Sequence, residues 1–365
     1  MSALRAAVFT GVDAPLALET LEAEAPRTGE VAVRVEASGL CHSDLHVLVG
    51  EWSEQPPMVM GHEGCGVVEA VGEGVSHVAP GDRVVLSWFA HCGECARCRE
   101  DRPWICLRSR ANESLMADGG TRLRRPGGEA VRSYLAVGSL AERAVVPSSG
   151  AVAVPAALPP DVGALIGCAV ATGVGAVLNT AAVRPGQSVV VIGCGGVGLS
   201  VVMGAVLAEA AAIVAVDLSD EKLQLASDLG ASHAVRAGEG ADAELAAILP
   251  NGPDHVFEAI GLVSTMEWAV RLMPPGGTAT LVGMTPEDQR ISIDPLPFSS
   301  GGRTLLGCTY GSCVPERDFP RLAELHLAGR LPIDRLISER IALDDVNRAF
   351  DQMRSGDGAR RVVVF

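Results

Sequence analysis

The sequence predicts an α/β protein in two parts, one β-rich and one built on a doubly wound parallel sheet. Two patterns and a motif support this. Up to about residue 165, short alternating runs such as 31–35 and 66–71 are divided by Gly-Asp, Pro-Gly and Gly-Glu pairs. That is the pattern of strands joined by turns. From about 170 to 310, apolar strand-like runs at 188–192, 213–216, 255–257 and 278–282 alternate with Ala- and Leu-rich helical stretches. Such alternation builds a parallel sheet from βαβ units. A glycine-rich turn directly follows the first of these runs.

The tail adds a helix candidate at 318–327 and a strand candidate at 361–365. An Arg-rich segment before Gly127-Gly128 suggests one long surface loop, about 107 to 135. The chain has 365 residues, 48% hydrophobic and 20% charged, which allows roughly two domains with sizeable cores. Among 29 basic residues the only lysine is Lys222; 44 acidic residues bring the net charge to −15. Nucleic acid and anionic membrane are excluded as partners, and no basic block offsets that charge. No signal peptide is visible. The longest apolar stretch, 199–216, contains Glu209 and reads as a buried helix running into a strand. A cytoplasmic location is expected, where ten cysteines serve metal ligation or burial in preference to disulfides.

Gly193-Cys-Gly195-Gly-Val-Gly198 has a strand before it and a helix after it, the context of a dinucleotide-binding turn. The first glycine makes the turn, the second admits the pyrophosphate to the backbone, and the third packs helix on strand. Nineteen residues after Gly198, Asp217 ends the next strand, where a carboxylate accepts both ribose hydroxyls and repels a 2′-phosphate. This selects NAD. Lys222, five residues later, is placed to return to the same ribose.

Cys92, Cys95, Cys98 and Cys106 spell C-x2-C-x2-C-x7-C, four thiolates able to close a tetrahedron around one structural zinc. An iron–sulfur cluster is the competing reading. A second, dispersed set comprises Cys41-His-Ser-Asp-Leu-His46, Gly61-His-Glu-Gly64 and Gly167-Cys168, none of which is convincing alone.

Together with the nucleotide turn and Gly167–Gly173, these segments resemble the zinc-dependent alcohol dehydrogenases of the medium-chain dehydrogenase/reductase family over essentially the full length. The resemblance implies a GroES-like catalytic domain at 1–169 and 310–365, and a Rossmann domain at 170–309. It implies a catalytic zinc on Cys41, His62 and Cys168, with the fourth position open. The reaction implied is reversible oxidation of a primary alcohol to an aldehyde, by hydride transfer from a zinc-bound alkoxide to NAD. Two zinc ions per subunit are expected.

Further roles follow from the same likeness. Ser43 and His46 form a proton relay, Asp44 orients His62, and Glu63 approaches the zinc transiently. His42 and Arg360 contact the cofactor pyrophosphate, with Arg361 leaving the register of Arg360 open by one. Thr172 and Val197 pack on the nicotinamide. Trp52, Trp88 and Met284 line the substrate pocket, and two indoles there favour small or flat primary alcohols. Arg110 and Glu54 match positions of the glutathione-dependent formaldehyde dehydrogenase branch, which makes a hydroxymethyl-thiol adduct the alternative substrate. His46, however, stands where that branch carries Tyr. A non-catalytic NAD- or zinc-binding protein is the alternative of another class. The long 107–135 segment is the form found in dimeric branches, so a homodimer is expected.

Overall fold

The computed structural model describes residues 2–356 and 358–365, and the chain divides into two compact units. The first runs to Cys168 and resumes over Val314–Phe365; the second is Ala169–Cys313.

Alternating valines build the first unit. Glu30–Gly39 is the central strand of a seven-stranded sheet, pairing antiparallel with Glu63–Val71, Arg143–Pro147 and Arg360–Val364. Its inward residues Val31, Val33 and Val35 meet Val68, Val84 and Leu86 in one dry cluster. The register sets Gly39 opposite Glu63, so this pairing delivers Glu63 to the sheet's buried end. Ser2–Phe9, Ala17–Ala23, Leu123–Arg124, Ala130–Ser133 and Met58–Val59 close a small barrel beside it.

The barrel corrects the expectation of a surface loop over 107–135. Leu123 and Val131 sit on one face and are buried, and the Gly127-Gly128 pair makes the turn between their strands. The neighbouring arginines each find a carboxylate: Arg124 bonds Glu24 at 2.8 Å, Arg125 bonds Glu19 at 2.7 Å, and buried Arg122 bonds Glu30 and Asp118. Paired in this way, Arg is compatible with a strand whose other face is apolar.

In the second unit six parallel strands lie in the order His233–Arg236, Ala212–Asp217, Ser188–Ile192, His255–Glu258, Thr278–Leu281, Thr304–Gly307. The order reverses at Ser188–Ile192, flanked by strands 212–217 and 255–258. A crevice at the carboxyl ends there is where such sheets bind ligands. The chain leaves this unit at Cys313, not at 309, because the turn Tyr310–Ser312 is held within it. The Asn179 amide donates to the Gly311 carbonyl at 3.2 Å, and Thr180 and Ser312 share a hydroxyl bond at 2.8 Å.

Residues Pro160–Thr180 form a helical stretch with the length and hydropathy of a membrane span, yet 94% of its apolar window is buried in the protein. It is irregular, with π-helical turns at Ile166–Val170 and Ala176–Thr180.

Candidate active site

Four buried side chains converge in the first unit: Cys41, His62, Glu63 and Cys168, with one donor atom of each lying within 4.8 Å of all the others. Different elements bring them. Cys41 precedes the helix His42–Leu48, His62 and Glu63 enter the strand Glu63–Val71, and Cys168 lies in the first π turn. Asp44, fully buried, ties the first two together. Its carboxylate accepts the Cys41 and Gly61 N–H groups, both at 3.1 Å, and faces His62 Nδ1 at 3.3 Å. An Nδ1–H donated to Asp44 leaves Nε2 of His62 as the metal-binding nitrogen. The buried Cys41 sulfur is held well below the usual thiol range, chiefly by its bond with Cys168 and then by His62. Two thiols and an imidazole form a three-donor set that fits zinc and leaves a fourth position for exchange, with the Glu63 carboxylate beside it.

Ser43 Oγ lies 3.6 Å from the Cys41 sulfur. Tyr134, which sequence reasoning missed, donates its hydroxyl to the Ser43 carbonyl at 3.2 Å and stands edge-on to His62 with ring centres 5.6 Å apart. No local pattern marks it; Tyr134 reaches Ser43 from 91 residues away.

Arg360 reaches the same buried cluster from the last strand. Its guanidinium is buried on the Glu63 carboxylate, and Arg361 turns instead to Glu339 at 3.3 Å. Arg360, and not Arg361, therefore stands at the metal-type cluster, paired with Glu63. Burial pushes the Glu63 carboxyl up to about 7 even with Arg360 against it.

His46 bonds the Glu51 carboxylate through Nδ1 and stacks on Trp52. Trp52, expected in a substrate pocket, is thus engaged by the His46 ring and by the apolar cluster around Phe9 and Leu48. Trp88 packs edge-to-face on Phe89 and against the valine cluster of the central strand. Met284 is 60% exposed. His42 is exposed at the first position of its helix. Arg110 is taken up by Glu113 at 2.5 Å, while half-buried Glu54 accepts the Ser114 hydroxyl at 3.4 Å.

The four loop cysteines also converge. Cys95 and Cys98 sulfurs are 3.5 Å apart, Cys95 and Cys106 3.8 Å, Cys92 and Cys98 4.0 Å. Tetrahedral zinc with bonds of about 2.3 Å separates its sulfurs by about 3.8 Å, so the spacing fits one ion and no disulfide. Backbone N–H groups of Cys92, Cys95 and Arg108 point at the sulfurs, which favours thiolates.

In the second unit the glycine turn is shaped as a phosphate cradle. Gly193 has φ +94°, and a Cβ on Gly198 would stand 1.7 Å from the Gly193 carbonyl oxygen. A Cβ on Gly195 would meet nothing within 4 Å. Asp217 accepts the Cys194 N–H at 2.7 Å and the Ser219 N–H at 2.9 Å, so the acid is locked to the turn it serves. Lys222 lies in the first turn of the helix Asp220–Asp228, capped by Ser219. The helix carrying buried Thr172 presses on the same turn, with Gly173 admitting the Val197 carbonyl.

Thiols and an imidazole gathered around an open position, in a chain that also carries a dinucleotide cradle, define a zinc- and dinucleotide-dependent oxidoreductase. Residues 27–156 match the alcohol dehydrogenase GroES-like domain, and residues 196–328 the zinc-binding dehydrogenase family. An NDMA-dependent alcohol dehydrogenase of Amycolatopsis methanolica is 35% identical, over 99% of this chain and 98% of its own. An S-(hydroxymethyl)glutathione dehydrogenase of Aspergillus oryzae is 36% identical, over 98% and 95%. The crystal structure of an alcohol dehydrogenase zinc-binding domain protein from Burkholderia ambifaria superposes with a TM-score of 0.96 at 37% identity, covering 100% of this chain and 99% of that one. The chain belongs to the zinc-dependent alcohol dehydrogenases of the medium-chain dehydrogenase/reductase family. Zinc and NAD are the cofactors of this oxidoreductase, and its substrates are small alcohols and aldehydes.

Proposed function

We propose that this protein reversibly oxidises a primary alcohol to its aldehyde, with catalytic zinc on Cys41, His62 and Cys168. The convergence of those buried donor atoms within 4.8 Å is the observation behind it. When bound, zinc supplies a Lewis acid for the substrate oxygen and NAD supplies the hydride acceptor.

The chain's own residues do the remaining work. Asp44 fixes the His62 tautomer. The Ser43 hydroxyl takes the alcohol's proton and passes it outward, and His46 hands it to solvent, a task suited to imidazole. Glu63, fourth member of the cluster, stands in reserve as a ligand. The Gly193, Gly195 and Gly198 turn holds the pyrophosphate with His42 beside it, and Thr172 and Val197 meet the nicotinamide. Asp217, with Lys222, binds the ribose and selects NAD over NADP. Cys92, Cys95, Cys98 and Cys106 hold a second zinc that staples the loop.

A panel of aliphatic, allylic and benzylic alcohols with NAD and with NADP, followed by NADH absorbance, tests this. Turnover with NAD and two zinc per chain is expected. One zinc per chain and no NADH across the panel would point to a non-catalytic binding protein. Asp217→Ala with an unchanged NAD preference would contradict the ribose role.

Likeness to an S-(hydroxymethyl)glutathione dehydrogenase supports a second reading, oxidation of a thiol's hydroxymethyl adduct anchored by Arg110. The ion pair of Arg110 with Glu113 weighs against it. Formaldehyde turnover with and without thiols separates the two. We also propose a cytoplasmic homodimer. The open outer edge of Thr304–Gly307, the last strand of its sheet, favours pairing with a second copy.

A further inference from the structure

Beyond the helix His42–Leu48 the chain folds back, and the Glu51 and Trp52 N–H groups both donate to the His46 carbonyl, at 2.8 and 3.2 Å. This reversal sets the Glu51 carboxylate on Nδ1 of His46. It also lays the Trp52 indole over the imidazole, with ring centres 4.5 Å apart and planes 24° from parallel. The His46 side chain is 18% exposed and Glu51 43%, so the pair lies at the solvent boundary. Trp52 is in turn seated on the apolar cluster of Leu45, Leu48 and Met58.

We propose that Glu51 is a positioning residue for His46, fixing the tautomer that receives the relay proton. The inference rests on the reading of His46 as the outer member of that relay. A carboxylate accepts hydrogen bonds and donates none, so Nδ1 carries the hydrogen and the neutral ring keeps its lone pair on Nε2. Nε2 takes up one proton, and the imidazolium so formed is stabilised by the Glu51 charge. Release of one proton to water restores the neutral ring. Without Glu51 the ring distributes over both neutral tautomers, and the one protonated at Nε2 cannot accept at that nitrogen, its lone pair lying on Nδ1 instead. Trp52 holds the ring plane, so the nitrogen that Glu51 leaves free keeps one direction.

The test uses zinc- and NAD-loaded protein labelled with 15N-histidine, the His46 signals being those lost in His46→Gln. Wild type is expected to show a protonated Nδ1 and an unprotonated Nε2. Glu51→Ala should move both nitrogens toward averaged shifts and slow the transient rate of NADH formation about tenfold, with NAD affinity unchanged. Glu51→Asp should restore both readouts. Wild-type shifts and an undiminished rate in Glu51→Ala, with a slow His46→Gln, would overturn the role of Glu51 and leave the relay standing. A His46→Gln variant as fast as wild type would remove the relay itself, and the positioning role with it.

Discussion

The Arg360 guanidinium lies buried against the Glu63 carboxylate, joining the last strand of the chain to a residue 297 positions earlier. Neither charge faces water. Breaking a buried pair from one side leaves an uncompensated charge, which costs about 3–5 kcal/mol. Arg360→Met is therefore expected to destabilise the first unit by that order, measured as a fall in thermal midpoint. The double variant Glu63→Gln, Arg360→Met should recover most of the loss, since neither partner is then left charged. Additive losses in this cycle would show that the two side chains do not act as a pair.

The nucleotide turn predicts opposite behaviour for two glycines three residues apart. Gly198→Ala drives a methyl into the Gly193 carbonyl and should lower stability by about 3 kcal/mol or prevent folding. Gly195→Ala meets only open space and should leave the cofactor-free protein within about 0.5 kcal/mol of wild type. The same methyl occupies the surface a pyrophosphate must approach, so NAD affinity should drop roughly tenfold or more. Thermal melting and NAD titration read the two effects separately.

Loss of metal should act on the four-cysteine loop by stages of pH. Backbone N–H groups draw the Cys95 thiol down to about 6, whereas burial pushes Cys98 up to about 12. Metal binding needs the thiolates, so affinity falls as pH drops and acid favours release. Cys98→Ser should reduce zinc from two per chain to one, lower the melting temperature by about 10 °C, and abolish the chelator-sensitive release expected on acidification. Unchanged zinc content in Cys98→Ser would refute the loop as a metal site.

His255 sets an acid limit in the parallel-sheet unit. It is buried, bonded through Nε2 to Gln187 at 3.1 Å, and burial holds its imidazole below the ordinary value. The unfolded ring takes up a proton below about pH 6.5, and the folded ring resists until a lower pH. Protons then favour the unfolded chain, and stability declines as pH falls from about 6.5 toward the folded value. His255→Gln should flatten the melting temperature between pH 7 and 5 while costing stability at neutrality. An unaltered slope would exclude His255 as the source.

How much of this was readable in advance depends on whether the physics is local. The strands Ser188–Ile192 and Ala212–Asp217 are central to a sheet buried on both faces, which writes a continuous apolar run. His233–Arg236, at one edge and exposed at three of its four residues, writes no such run; Thr304–Gly307 at the other edge is similar. Cys92 to Cys106 form one short segment, so spacing alone marks a metal loop. Cys41, His62 and Cys168 come from three elements, and only likeness to a family joined them beforehand. Glu51 on His46 and Arg360 on Glu63 depend on a chain reversal and on sheet pairing. Nothing in their neighbours announces either contact.

The π turn at Ile166–Val170 makes Cys168 a matter of counting as well as chemistry. Such a turn accommodates one residue more than a regular helix would over the same length. Removing any one residue just before Cys168 would rotate the sulfur by about 100° around the helix axis. The composition would scarcely change, and the cysteine would still be present. Its sulfur would nevertheless point away from Cys41 and His62. For Cys168, length is inherited information as binding as residue type, and a one-residue deletion there should be as severe as replacing the cysteine.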